Sequence, residues 1–228
     1  MAVQLDKIVL AKQGDKKTIN LSKDSSGTLL GKEITINLNW TREPNRASSG
    51  GFFSSLKKTL GLESAIDLDL GCFYELKNGT KRVIDGLQFA QGKGGPRDRL
   101  TNQGRYTAEP WVWHTGDDRS GTGEGENILV NPQGLSQLKR LVVYCFIYEG
   151  VAKWDQTNAI ATIKVPGNPD IIVEMGVQAS TKMMCALAEI TAESSDALSV
   201  KRWVTFHDGH EDCDRAFGWG MNWVSGSK

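Results

Sequence analysis

Between Ile34 and Trp40 the chain alternates Ile34, Ile36, Leu38 and Trp40 with Thr35, Asn37 and Asn39. A period of two belongs to a strand with one face in a core. Residues 141–148 are apolar almost throughout, the pattern of a strand covered on both faces. Asn78-Gly79 separates the apolar run 73–76 from the run 82–87 and predicts a hairpin. Further strands are expected at 160–165, 171–175, 183–190 and 200–206, divided by Pro166-Gly167-Asn168-Pro169 and a turn over 193–196. Residues 3–40, with a turn at Gly14-Asp15, read as antiparallel β. Many short strands and no long amphipathic helix predict an all-β fold. It is expected to be a two-sheet antiparallel β-sandwich with short helical turns and long loops, one domain spanning 1–228. The Pro-, Ser- and Gly-containing stretch 41–64 is expected to be a flexible loop whose Phe52-Phe53 tucks back onto the domain, and 225–228 a loose tail. No period of 20 to 50 residues marks a repeat protein.

The alternation takes a different form at Asp67-Leu68-Asp69-Leu70. On a strand it puts two carboxylates on one face and two leucines on the other. A second acidic stretch runs Gly116-Asp117-Asp118-Arg119-Ser120-Gly121-Thr122-Gly123-Glu124-Gly125-Glu126-Asn127. Its glycines allow backbone conformations closed to other residues, so the loop can turn its oxygens inward. Carboxylates that close repel by about 4 kcal/mol per pair at 4 Å and an effective dielectric near 20. Arg119 is the lone basic residue in the run and cannot neutralise four acids. Ca²⁺, which accepts six to eight oxygens in flexible geometry, can. The candidate ligands are Asp67, Asp69, Gly116, Asp117, Asp118, Gly123, Glu124, Glu126 and Asn127. Glu149, at the end of the long apolar strand, could reach the same site. The alternative is a solvated acidic loop without an ion. The run matches neither the EF-hand spacing, nor the G-K-[ST] of a P-loop, nor the G-x-G-x-x-G of a dinucleotide fold.

Composition narrows the remaining readings. With 27 basic and 27 acidic residues the chain has no net charge, so no overall field favours nucleic acid or an anionic membrane. Asp6, Lys7, Lys12 and Asp15 interrupt any leader-like apolar run, and no stretch is long enough to span a bilayer; a cytoplasmic location is expected. Cys72, Cys145, Cys185 and Cys213 are scattered and read as buried, reduced thiols. Arg97, Arg99 and Arg105 offer either an anion site or a solvated loop. Trp111 and Trp113 offer a sugar-stacking surface or core filling, and His207, His210, Asp212 and Asp214 a weak zinc pattern or a hydrogen-bonded turn.

Three stretches together resemble the TerD family of tellurium-resistance proteins. They are Asp67-Leu68-Asp69-Leu70 running on through Cys72-Phe73-Tyr74-Glu75-Leu76, the Gly-Asp-Asp…Gly-x-Gly-Glu-Gly-Glu-Asn loop, and Val143-Tyr144-Cys145-Phe146-Ile147-Tyr148-Glu149. Leu70-Gly71-Cys72 and the closing Ala216-Phe217-Gly218-Trp219-Gly220-Met221-Asn222-Trp223 are similar to its TerA-type members. The family's loop usually carries an asparagine where this chain has Asp118. The resemblance implies a cytoplasmic, calcium-binding β-sandwich of a bacterial stress-response operon, acting in tellurite resistance without established catalysis. Its partners would be other proteins of that operon, among them a membrane component. Two other readings stand beside this one: a Mg²⁺- or Mn²⁺-dependent hydrolase or phosphotransfer enzyme, and a calcium-dependent lectin-like module. His114 is the nearest candidate base, and no set of nucleophile, base and orienting group accompanies it.

Overall fold

The computed structural model describes residues 6–21, 33–40, 66–86, 95–116, 125–149, 152–176 and 180–224. The strands are β1 (Ile8–Leu10), β2 (Lys16–Asn20), β3 (Ile34–Asn39), β4 (Asp67–Leu76), β5 (Lys81–Asp85), β6 (Gly104–Arg105), β7 (Val112–His114), β8 (Glu126–Val130), β9 (Leu138–Glu149), β10 (Ile160–Lys164), β11 (Ile171–Glu174), β12 (Met184–Ala192) and β13 (Ala197–His207). A seven-stranded sheet has the order β1-β11-β10-β3-β8-β7-β6, and a six-stranded sheet the order β2-β13-β12-β9-β4-β5. This is the expected all-β architecture of two sheets. The expected loop 41–64 and tail 225–228 lie outside the described residues.

The alternating residues of β3 point inward: Ile34, Ile36, Leu38 and Trp40 are all buried. They meet Leu68, Leu70 and Cys72 of β4 and Leu141, Val143, Cys145 and Ile147 of β9 in one core. The opposite face of β9 supplies Val142, Tyr144 and Phe146 to a second apolar cluster with Phe73, Met184, Cys213 and Trp219. β9 is therefore covered on both faces, as its composition requires. What covers its outer face is α1 (His210–Phe217) and the chain that follows it. A turn was expected here, and the eight-residue helix is a correction. Its spacing of His210, Cys213 and Phe217 puts three ring or thiol side chains toward the sheet, and Gly218, at φ 70°, ends it.

A second correction concerns residues 3–40. β1 pairs with β11 in parallel, while β2 joins the other sheet beside β13, antiparallel. The Gly14-Asp15 turn, where Asp15 Oδ2 accepts from the Ala11 and Lys12 N–H groups, carries the chain from one sheet to the other. Side-chain alternation reports which face is buried and is blind to the partner strand.

The Asn78-Gly79 hairpin forms as expected, with Gly79 at φ 89° and Thr80 N–H donating to Asn78 Oδ1. Beside it, buried Glu75 accepts from Lys139 Nζ and Arg140 Nε, both at 2.7 Å. Burial alone would raise its pKa, but the hydrogen bonds and charges of Lys139 and Arg140 outweigh burial and hold it below the ordinary value. A carboxylate depressed in the folded state contributes stability above its unfolded pKa of about 4.3, and that contribution is lost as the pH falls through the lower folded value. Urea unfolding is expected to show a shallower loss of stability below about pH 4.3 in Glu75→Gln than in the wild type. Equal slopes would refute the assignment.

Candidate functional site

Asp67 and Asp69 share the outer face of β4, opposite the fully buried Leu68 and Leu70, as the alternation predicts. Both aspartates are nevertheless buried, at 5% and 0% exposure. The register places Asp67 opposite Glu149 and Asp69 opposite Phe146 on β9, with Gly71 between Tyr144 and Asp85. β5 ends at Asp85, one residue short of Leu70, and leaves the Leu70 N–H and C=O without a strand on that side. In an antiparallel ladder both groups of one residue point to the same edge. Two side chains from the seven-stranded sheet fill the gap. Glu126 Oε2 accepts from Leu70 N–H at 2.7 Å, and His114 Nε2 donates to Leu70 O at 3.1 Å. His114 Nδ1 accepts from Gly116 N–H at 3.1 Å, so its partners assign the hydrogen to Nε2. Glu126 and His114 are 3.6 Å apart and fully buried.

Of the other candidate ligands, Gly116 opens the acidic loop at φ 122°. Asp117, Asp118, Gly123 and Glu124 lie outside the described residues, and of Glu149 only the backbone is described. The Asn127 carboxamide oxygen accepts from Asn37 Nδ2 at 2.9 Å, on the opposite face of β8 from Glu126. The donor set is one of hard oxygens, which suits Ca²⁺ and disfavours zinc. Among the described residues no group of three or more His, Cys, Asp or Glu side chains is placed to hold a metal ion. An ion held here would need oxygens of the loop in addition to Asp67 and Asp69.

Beside this face lies an arrangement that spacing did not reveal. Tyr144 Oη donates to Asp85 Oδ2 at 2.6 Å, and His210 Nε2 lies 2.9 Å from the same oxygen. Burial, and then the charge and hydrogen bond of Asp85, raise the Tyr144 pKa far above its ordinary value, so the phenol remains a donor. The Tyr144 ring lies over Gly71, where a Cβ would come within 2.4 Å of it. A glycine inside a strand was the available signal for that close approach.

The weaker sequence patterns disperse into structural roles. Arg97 pairs with Glu33 and stacks on Tyr106 at 4.3 Å, and Arg105 donates to Glu109 O. Trp113 is buried under Arg97, and the Trp111 ring packs on Gly134. Asp212 accepts from Asp208 N–H, while burial, outweighing nearby Asp212, holds His207 below its ordinary pKa. Asp214 accepts from Gly220 N–H, Met221 N–H and Trp223 Nε1. All four cysteines are free and buried. Burial raises every thiol, that of Cys213 to about 12, which makes them poor nucleophiles.

No family model matches the chain. It is 37% identical over 227 residues to a tellurium resistance protein, TerA, from an Alcaligenes species. The match covers 99% of this chain and 60% of that protein, so the chain spans under two thirds of its relative's length. A crystal structure of a protein of unknown function, SAV2460, superposes with a TM-score of 0.51 at 15% identity, covering 84% of this chain and 99% of that one. A homologue of the telluride resistance protein TerD from Streptomyces coelicolor superposes with a TM-score of 0.49 at 14% identity, over 81% of this chain and 95% of that one. Among the described residues no helix is long and apolar enough to cross a membrane. Along nearly its whole length the chain is thus similar to a TerA-type tellurium resistance protein, and it carries its Asp-Leu-Asp-Leu strand on a two-sheet sandwich.

Proposed function

We propose that this protein serves tellurite resistance as a non-catalytic, cytoplasmic binding module whose acidic face holds Ca²⁺ and which works with other proteins of a tellurium-resistance operon. The single observation that supports it is the pair Asp67 and Asp69, buried two residues apart on one strand face, with Glu149 opposite Asp67. Buried like charges this close destabilise each other, and a hard divalent cation reverses the sign of that interaction. Oxygens of the 116–127 loop would complete the coordination. The ion would neutralise the carboxylates and tie β4 to the loop; Glu126 and His114 would hold the Leu70 backbone in place. His114 is occupied at both ring nitrogens, which suits a positioning part better than a general base.

Calorimetric titration of metal-free protein with Ca²⁺ is expected to show saturable binding that Asp69→Asn weakens about as strongly as Asp117→Asn, since each removes a charged ligand. At a hundredfold excess over the dissociation constant, mass action predicts about 2.7 kcal/mol of added stability, so EDTA should lower the melting temperature and Ca²⁺ restore it. Identical melting curves with EDTA and with millimolar Ca²⁺ would overturn the calcium reading. Metal-dependent turnover of a phosphoester by purified protein would overturn the non-catalytic one.

A further inference from the structure

At the turn end of the β4–β5 hairpin, at the far end of β4 from Asp67 and Asp69, the hairpin tip and the chain after α1 flank an open pocket of about 670 Å³. Its walls include Asn78, Lys81 and Arg82 on the hairpin and Trp219, Met221 and Asn222 on the closing segment; among the described residues no carboxylate lines it. Among the described residues, no acidic side chain lies within ion-pair distance of Lys81 or Arg82. The nearest acid along the strand, Glu75, is the register partner of Lys81, and both its oxygens are taken by Lys139 and Arg140.

The pocket is also built to stay in shape. Lys81 Nζ donates to Gly218 O at 2.7 Å and lies 5.7 Å from the Trp219 ring centre, so its head group is held at the wall with two further N–H donors. Trp219 Nε1 donates to Tyr74 O, Arg140 stacks on its ring at 4.3 Å, and Asp214 fixes the backbone of Gly220 and Met221. Arg82 Nη1 donates to Lys81 O and leaves the rest of an exposed guanidinium at the rim. A fixed ammonium beside a guanidinium, in a concave site without an opposing acid, is complementary to an oxyanion. The volume lies in the range of small-molecule sites, so an anion with a polar body fits as well as a bare ion.

We propose that this pocket is an oxyanion-binding site, gripped by Lys81 and Arg82, for a free inorganic oxyanion or for the phosphate group of a small polar metabolite. It is separate from the Asp67-Asp69 pair, at the opposite end of β4, and does not depend on calcium. The test titrates amide-labelled protein, at low ionic strength and in EDTA, with inorganic phosphate, with tellurite and with ribose 5-phosphate. Saturable shifts are expected at the amides of residues 78–82 and 219–222. They should weaken about tenfold or more in the Lys81→Gln, Arg82→Gln double variant and fall steeply with added salt. Tighter binding of ribose 5-phosphate than of phosphate would identify an esterified ligand, and tighter tellurite or phosphate a free ion. The Lys81–Gly218 hydrogen bond is exposed, so water replaces it in the variant, which should melt close to the wild type. Arg82→Glu, at an exposed position, gives a second reading free of that contact. Absence of saturable shifts with all three probes, or binding unchanged in both variants, would overturn the proposal.

Discussion

Gly71→Ala is expected to be among the most damaging single-atom additions to this protein. A Cβ at Gly71 would sit 2.4 and 2.5 Å from two Tyr144 ring carbons and 2.7 Å from Asp85 Cβ, distances that real contacts do not reach. The ring cannot swing freely, because Phe73 packs on it at 4.8 Å and His210 at 5.4 Å. Overpacking in a tight core costs about 1–3 kcal/mol. Displacing the phenol also strips the buried Asp85 of a 2.6 Å hydrogen bond, for about 1–3 kcal/mol more. Urea denaturation should therefore show a loss of about 2–6 kcal/mol. A double-mutant cycle separates the two parts: in a Tyr144→Ala background, with no ring to displace, the cost of Gly71→Ala should fall to that of the Asp85 Cβ contact alone. A loss below about 0.5 kcal/mol in the single variant would show that the sheet yields at this point.

Asp214→Ala should be nearly as costly and differently distributed. The carboxylate is 3% exposed and collects Gly220 N–H at 2.7 Å, Met221 N–H at 2.9 Å and Trp223 Nε1 at 3.0 Å. Hydrogen bonds to a charged acceptor are worth about 1.5–3 kcal/mol each, and they act together here to fold residues 218–223 back over the sheet. Without them Trp219 and Trp223 lose their anchorage over Phe73, at 5.5 and 5.9 Å, and the outer apolar cluster opens. The expected result is a global loss of about 3–4 kcal/mol with much faster chymotryptic cleavage after Phe217 and Trp219. Asp214→Asn, which keeps one acceptor oxygen, should fall between. Unchanged stability together with unchanged cleavage would mean that the segment is held by its aromatic contacts alone.

These two positions also mark where legibility in the sequence ended. The strict alternation of Ile34 to Trp40 and the apolar run in β9 announced their strands, because burial of one face or of both writes a period directly into composition. Asn78-Gly79 announced its hairpin because the turn itself demands those residues. The acidic face of β4 was legible for the same reason, since Asp67 and Asp69 interrupt an apolar strand at a spacing of two. Asp85, Tyr144 and His210 were not: they come from β5, β9 and α1, and nothing in their spacing links them. Asp214 lay within a cluster of histidines and acids that resembles a metal pattern, while its actual task is to accept backbone N–H groups from a segment six residues on. The parallel pairing of β1 was hidden because partner choice is set by topology. Glu126 was singled out for its charge, and its bond to Leu70 N–H adds a backbone role that charge counting does not register.

The crossing of the chain between β1 and β2 gives the sandwich a stitched spine. Arg202 of β13 reaches across with two nitrogens to Glu174 O of β11, and its own backbone exchanges hydrogen bonds with Gly14 and Asp15. One residue thus sews together both sheets and the strap that passes between them. The opposite margin, where β4 and β5 face β8 and β7, is crossed by residues 131–137 on the way from β8 to β9 and is fastened further by Glu126 and His114 at Leu70. The acidic face lies along that margin. Whatever closes it sets the angle between the two sheets.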